Sequence, residues 1–418
     1  MIRLVEALNY RCLRHIRQPL DSFHVLVGPN ASGKSSFLDI LPFLSRLATD
    51  GLDAAIAERT GNVHDLFWQR SGNRFELAIE AIVPEEHWPP IDLITEGEGY
   101  AIRYEIAIGL DDKGAARILD EQILLTDRYA VAEQAPPRVV PETLFVQEDW
   151  HLGKALIHRF REEYNLSPEV PDERMKNDAK DYWLVERPTG KRPILQTLSE
   201  YEFPTATWLD GILKASITSV DLVSAALRQP SRPGQSGEFV KTGENLPWVI
   251  SNIEQAAPGR YKEWITHLRQ ALPDLEGVRV IERPEDRHRY LMLRYNNGLE
   301  VPSWMLSDGT LRLLALTLIA YLPPEQQMVY LIEEPETSIH PLNIEVVMQS
   351  LSSVYDGQVL ATTHSPTVLS VTKPEQVLVF SRTPDGGTQI TKGSDHPGLR
   401  QWKGQPNLSV LYASGVLG

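Results

Sequence analysis
Leu306-Ser307-Asp308-Gly309-Thr310 is the stretch on which the fold turns, because of what stands on either side of it. Upstream, GPNASGKS at Gly28 to Ser35 fits the P-loop pattern G-x-x-x-x-G-K-[ST]. Downstream, MVYLIEEPE at Met328 to Glu336 is an apolar strand ending in two carboxylates. A P-loop by itself implies only that a phosphate is bound. An LSDG segment that opens a helix just before an acidic strand implies a second nucleotide-facing surface.

In the first motif the glycines Gly28 and Gly33 let successive backbone N–H groups turn toward a phosphate without side-chain obstruction. Pro29, Asn30, Ala31 and Ser32 complete the loop, and Ser36 follows it into the next helix, whose positive end faces the same place. Lys34 is expected to reach the β and γ phosphates, and the Ser35 hydroxyl to ligate Mg²⁺. Strand Val329 to Ile332 places Glu333 and Glu334 at its carboxyl end, where ligands sit in open α/β sheets. Adjacent residues on an extended segment point to opposite sides. One can therefore hold the Mg²⁺ shell while the other orients the attacking water; Glu333 is assigned to the metal and Glu334 to the general base, a role that contributes about 10²–10⁴-fold in rate. Ser307 caps the apolar helix LRLLALTLIAYL, and Gly309 allows close backbone approach, so this helix start is a second anion site. A further strand, QVLATTHSP at Gln358 to Pro366, ends at His364; His340 in SIHP reads as structural.

The remaining composition bounds the setting. At 418 residues and 47.1 kDa the chain can bury a large core. Its longest apolar run, Leu313 to Leu322, is too short to span a bilayer, and MIRLVEALNY lacks the apolar core of a signal peptide. The single cysteine, Cys12, excludes an intramolecular disulfide framework and cysteine-based metal clusters. A cytoplasmic protein with no membrane contact is expected. A formal net charge of −15 excludes a broadly basic coat for nucleic acid but not a local groove. Arginines gather at Arg228 and Arg232 near Lys241, and again at Arg283, Arg287 and Arg289, each group broken by acids or prolines.

Along the chain, Asp21 to Val27 reads as a strand entering the glycine loop. Phe37, Leu38, Leu41, Leu44 and Leu47 then recur at helical spacing, with Pro42 expected to kink or end that helix. Alternating runs from Arg74 to Leu125 predict antiparallel strands, and Ala135 to Pro141 a surface connection. From about Asp149 to Leu272 the pattern reads as mostly helical, including ALIHRFREEY, NLPWVISNIEQ and YKEWITHLRQAL, with a loop at Gln229 to Gly237. A second meander follows, turning at Asn296-Asn297-Gly298. The expected division is an N-terminal lobe over 1–148, a mainly helical insertion over 149–272 and a C-terminal lobe over 273–418.

Taken together, the P-loop, LSDGT, IEEPE and THSP segments resemble the ATP-binding-cassette class of P-loop ATPases. SDGTLRLLAL…IEEPETSIHP…THSP and the opening LNYRCLRHIRQPLDSFHVLVGPNASGKSSFLDIL are similar to the RecF/SMC/OLD branch, especially its stand-alone bacterial ATPases of antiphage operons. The resemblance covers about a third of the chain, at its two ends. It implies an α/β ATPase head with a mixed central sheet, a flanking antiparallel sheet and a helical insertion. It implies that His364 contacts the γ-phosphate, and that Ser307 and Gly309 meet the ATP of a second copy, giving a homodimer or a larger even-numbered homo-oligomer. ATP and Mg²⁺ are the implied cofactors, and a separate effector protein, with a nuclease among the candidates, is the implied partner. LSDGT stands where transporters carry LSGGQ, and Glu333 where Asp is commoner, both usual in this branch. Gln69 in LFWQR and Gln147 in LFVQED are both open as the glutamine loop. Absence of a long coiled coil argues against a full SMC arm, and the 54 residues after His364 (418 − 364) are too few for an appended nuclease domain. A RecF-type ATPase acting directly on DNA and an ATP-dependent scaffold are the rival readings, and a transporter ATPase stands third.

Overall fold
The computed structural model describes the chain except residues 90–98, 128–139, 147–152, 161–162, 167–168, 170–189, 324–327, 356, 398–407, 414 and 416–418. The chain forms two compact units. One comprises Met1–Asp21, Pro29–Ile217 and Phe380–Ile390; the other Ser22–Gly28, Thr218–Val379 and Thr391–Gly418. The fold is mixed α/β, as the sequence pattern implied. No helix among the described residues is long and apolar enough to cross a membrane.

In the first unit a seven-stranded sheet runs in the order β2-β1-β4-β5-β6-β7-β8. Its strands are β1 (Ile2–Tyr10), β2 (Leu13–Pro19), β4 (Arg74–Ile82), β5 (Tyr100–Leu110), β6 (Ala116–Asp127), β7 (Gly153–Phe160) and β8 (Glu163–Leu166), and every neighbouring pair is antiparallel. The alternating runs from Arg74 onward are strands, as expected. ALIHRF is not a helix, however: it lies in β7, paired with β6 from Thr126↔Gly153 to Asp120↔Phe160. Its local pattern suits either state, and the open edge of β6 decides between them, because strand preference is set by the neighbour as much as by the residues themselves. Of the expected surface connection, 135–139 lie outside the described residues. Region 149–272 is shared between the two units, and among its described residues the first α-helix is Pro204–Gly211.

One face of this sheet packs apolar side chains. Tyr10, Phe43, Phe67 and Phe75 meet with ring centroids 5.1–6.0 Å apart, which fastens helix Ile40–Asp50 to the strands. The Tyr10 hydroxyl donates to Asp39 at 2.6 Å, and Arg59 donates to the same carboxylate at 2.7 Å. Asp39 is also where the helix after the P-loop breaks, between Lys34–Leu38 and Ile40–Asp50. Pro42 was expected to kink or end that helix, and the interruption falls just ahead of it: with no N–H, Pro42 cannot bond the Leu38 carbonyl one turn earlier, and it then sits in the first turn of Ile40–Asp50.

The opposite face is buried as well, although it carries charge. Glu6, Glu76, Glu80, Arg103 and Glu105 are all buried. Arg103 pairs with Glu6 at 2.6 Å and Glu105 at 2.5 Å, Arg17 with Glu6 at 2.9 Å, and Arg3 with Glu80. Backbone covers what the arginines leave: Leu144 N–H donates to Glu76 at 2.6 Å and Val146 N–H to Glu105 at 3.1 Å. Burial opposes ionisation of Glu6, but Arg103 and Arg17 prevail and hold its carboxyl below the usual range. For Glu105 burial prevails over Arg103, and its carboxyl is pushed up. Truncating one member of a buried ion pair strands the others without a partner, so Arg103→Ala is expected to cost about 3–5 kcal/mol. A urea titration of the variant should show a correspondingly lower midpoint.

A six-stranded sheet, on whose strands β3, β14 and β13 the second unit is built, runs in the order β16-β15-β3-β14-β13-β9. These strands are β3 (Phe23–Val27), β9 (Ile217–Val220), β13 (Val329–Glu333), β14 (Gln358–Thr362), β15 (Val377–Arg382) and β16 (Thr388–Lys392). β13, β14, β3 and β15 are mutually parallel. A three-stranded antiparallel meander, β10 (Leu275–Glu282), β11 (Arg289–Tyr295) and β12 (Glu300–Pro302), turns at Gly298 as the Asn-Gly signal predicted. Helices Leu246–Ala256, Pro258–Ala271, Asp308–Leu318 and Ile344–Ser352 share one apolar core with the sheet. Trp264 at its centre is fully buried and donates its indole N–H to Thr317 at 3.0 Å.

Candidate functional site
In the second unit three segments leave one edge of the parallel sheet. β3, apolar except for His24, is buried along its whole length, and its chain leaves the sheet at Gly28. β14 pairs with β3 as far as Thr362↔Leu26, and β13 pairs with β14 as far as Glu333↔Thr362. One hydrogen bond beyond each register carries the alignment into the loops: Thr363 N–H to Leu26 O at 3.1 Å, and Glu334 N–H to Thr362 O at 3.0 Å. Gly28, Glu333–Glu334 and Thr363–His364 are thereby brought to one edge, the carboxyl ends of adjacent parallel strands, where α/β sheets bind ligands.

Glu333 and Glu334 are both exposed. Glu334 adopts φ +46, a left-handed conformation costly for a residue with a Cβ. The Thr337 N–H donates to its carbonyl at 3.0 Å, and the Thr337 hydroxyl reaches its carboxylate at 3.4 Å. Strain of this kind concentrates at functional positions. Replacing Glu334 by Gly removes the Cβ penalty but loosens the unfolded chain, so a net gain of roughly 0.5–1 kcal/mol is expected. A higher melting temperature of Glu334→Gly would show it; an unchanged or lower one would mean the position is unstrained.

The signature segment is ordered by caps and by close packing. Ser307 is exposed, caps helix Asp308–Leu318 and accepts the Thr310 N–H at 3.1 Å. A Cβ on Gly309 would lie 2.3 Å from the Ser338 carbonyl oxygen, so only glycine fits. Ser338 itself has φ +64, and the turn after the acidic strand is thus interlocked with the signature helix. Arg228, far upstream in the chain, pairs with Asp308 and donates to Leu306 O at 3.0 Å. His340 caps the turn Pro341–Asn343 by accepting the Leu342 N–H at 3.3 Å, in keeping with a structural role.

Sequence reading missed Glu336, Thr363 and Tyr412. The Thr363 hydroxyl donates to Glu336 Oε1 at 2.5 Å, and His364 Nδ1 lies 3.2 Å from the Tyr412 hydroxyl. Burial pushes the Glu336 carboxyl up, against the Thr363 hydrogen bond and with a smaller push from Glu334. Glu336 and Thr363 stand inside the IEEPE and THSP motifs and could have been noticed there. Arg228 and Tyr412 left no local signal.

Within the first unit, Pro29 to Ser36 form the remainder of the glycine loop. Ala31 and Gly33 have φ +58 and +104, and a Cβ on Gly33 would lie 2.2 Å from the Thr388 hydroxyl oxygen. The Thr388 hydroxyl donates to Ser32 O at 2.9 Å, and Arg382 donates to Ala31 O at 2.9 Å, pinning the loop from outside. Lys34 is 7% exposed, with its ammonium donating to Pro29 O at 2.9 Å, so it folds back over its own loop. The buried Ser32 hydroxyl has no hydrogen-bond partner among the described residues. Asn30 and Ser35 are exposed and Ser36 half-buried. Gln69 is exposed at φ +52 and its amide donates to Asp385 O at 3.3 Å, whereas Gln147 lies outside the described residues.

Backbone amides, a lysine and an unpartnered buried hydroxyl suit a polyphosphate. Among the described residues no cluster of three or more His, Cys, Asp or Glu could hold a metal by itself. Mg²⁺ commonly takes one or two carboxylates together with substrate phosphates, and the exposed carboxylate of Glu333, taken by itself, has the oxygen-donor chemistry such an ion needs.

A glycine loop after β3, an acidic pair after β13 and a histidine after β14 define a P-loop ATPase head. Residues 23–370 match the family described as "AAA domain, putative AbiEii toxin, Type IV TA system", and the chain belongs to that family. Among solved structures, the SmcHead bound to the C-winged helix domain of ScpA matches with TM-score 0.52 and 13% identity, over 93% of this chain and 97% of that one. An Smc head domain with an extended coiled coil bound to the C-terminal domain of ScpA, derived from Pyrococcus furiosus, matches at 0.49 and 13%, over 93% and 95%. The SMC head domain from Thermotoga maritima matches at 0.38 and 14%, over 94% and 98%. The first likeness establishes an SMC-type head fold.

Proposed function
We propose that the protein is a Mg-ATP-dependent ATPase that pairs head to tail and uses the pairing to control a separate effector, in defence against phage. Lys34 holds the β and γ phosphates, while Ser35 and Glu333 bind Mg²⁺, which when present screens the phosphate charge. Glu334 orients and deprotonates the attacking water, and His364 donates to the γ-phosphate. Ser307 and Gly309, at the exposed start of helix Asp308–Leu318, complete the pocket of a second copy. The reading rests above all on Glu334: a carboxylate in a strained conformation, exposed, at the strand edge that also carries His364.

Support for a protein effector comes from three directions. The family's description names a toxin. The SmcHead of similar fold is itself bound by a domain of another protein. The arginines of the meander are already committed: Arg287 and Arg289 to Glu282, Arg294 to Glu276, and Arg279 to Glu300. That leaves little free positive charge there for a nucleic-acid backbone. The expected setting is the cytoplasm.

Lys34→Ala should abolish ATP binding in a calorimetric titration; unchanged affinity would remove Lys34 from the phosphate site. Glu334→Gln should slow hydrolysis by about 10²–10⁴-fold while ATP converts the variant to a stable dimer in sedimentation velocity. Hydrolysis at the wild-type rate would take the role of base away from Glu334.

A further inference from the structure
His364 is held more firmly than a residue at the end of a strand needs to be. Helix Leu408–Ala413 packs on helix Pro366–Ser370 and sets the Tyr412 hydroxyl 3.2 Å from His364 Nδ1. The Tyr412 ring is half-buried against the apolar core, so the hydroxyl is aimed rather than free. The backbone around the histidine is fixed independently. Thr363 donates its hydroxyl proton to Glu336 at 2.5 Å and accepts the Ser365 N–H at 2.9 Å, and the His364 backbone also hydrogen-bonds to Glu336.

A neutral imidazole carries one proton on two nitrogens, and the partner of one nitrogen decides the state of the other. Burial, reinforced by the nearby Glu336 charge, pushes the Tyr412 hydroxyl up, so it remains protonated and able to donate. If the ring carried its proton on Nδ1, Nε2 would turn a lone pair toward phosphate oxygens, an arrangement with no hydrogen bond to give.

We propose that Tyr412 is a positioning residue for His364: its hydroxyl donates to Nδ1 and holds the ring in the tautomer whose Nε2–H is free to donate to a γ-phosphate oxygen. No proton changes owner; the tyrosine selects which nitrogen offers one. The inference rests on the reading of His364 as the phosphate-contacting residue, yet the tautomer can be measured without nucleotide.

The experiment uses the full chain labelled with ¹⁵N-histidine, with the ring nitrogens observed by long-range proton–nitrogen correlation above the histidine titration range. The His364 signals are those missing from His364→Gln. Wild type should show Nε2–H alone, and Tyr412→Phe, which keeps the packed ring and removes only the hydroxyl, a mixture of tautomers. ATP turnover in Tyr412→Phe should fall about tenfold, as for loss of one hydrogen bond in the transition state, with KM little changed and the melting temperature retained. A tautomer unaffected by Tyr412→Phe, or Nδ1–H in wild type, overturns the proposal whatever the rate. If the tautomer shifts but His364→Gln and Tyr412→Phe both turn over ATP at the wild-type rate, the positioning by Tyr412 stands and the phosphate role of His364 falls.

Discussion
Two backbone hydrogen bonds, Thr363 N–H to Leu26 O and Glu334 N–H to Thr362 O, hold the candidate chemistry in place. Each extends a parallel strand pair by one step, from β14 to β3 and from β13 to β14. Parallel neighbours cannot be joined by a hairpin; each needs a long crossover. The glycine loop, the acidic pair and the histidine are therefore separated by hundreds of residues or by a helix, and only sheet register unites them. The apolar core of helices Leu246–Ala256, Pro258–Ala271, Asp308–Leu318 and Ile344–Ser352 is what keeps that register, because a slipped parallel strand buried on both faces would misplace every side chain.

The second unit also stores local strain where the carboxylates emerge. Glu334 and Ser338 both have positive φ, and Gly309 fits against the Ser338 carbonyl only because it lacks a Cβ. The turn after the acidic strand and the start of the signature helix are consequently one mechanical piece. Glu336, half-buried with one oxygen bonded to Thr363, ties the same turn to the histidine strand.

The first unit solves a different problem. A wide antiparallel sheet has two faces, and along its central strands β4 and β5 both are covered. Aromatic side chains fill one; Arg103, Arg17 and Arg3 neutralise the glutamates of the other. Buried ion pairs gain little net stability but penalise mispairing, since any shift strands a charge. Here the network lies across β1, β4 and β5, whose registers bring Glu6, Glu80, Arg103 and Glu105 together.

What the sequence determined by itself was everything set by short-range rules. The glycine loop, the apolar strand before it, the acidic strand end, the Ser307 cap and the Asn-Gly hairpin are each written in a few consecutive residues whose backbone demands are local. The α/β class followed from those pieces in order. Tertiary structure decided what depends on neighbours: that ALIHRF is a strand because β6 offers an edge, and that the charged face of β1, β4 and β5 is buried. It also brought Tyr412 to His364 and Arg228 to Asp308. No local signal marks such pairs, because a hydrogen bond between residues 48 or 80 positions apart exists only after the chain between them has folded.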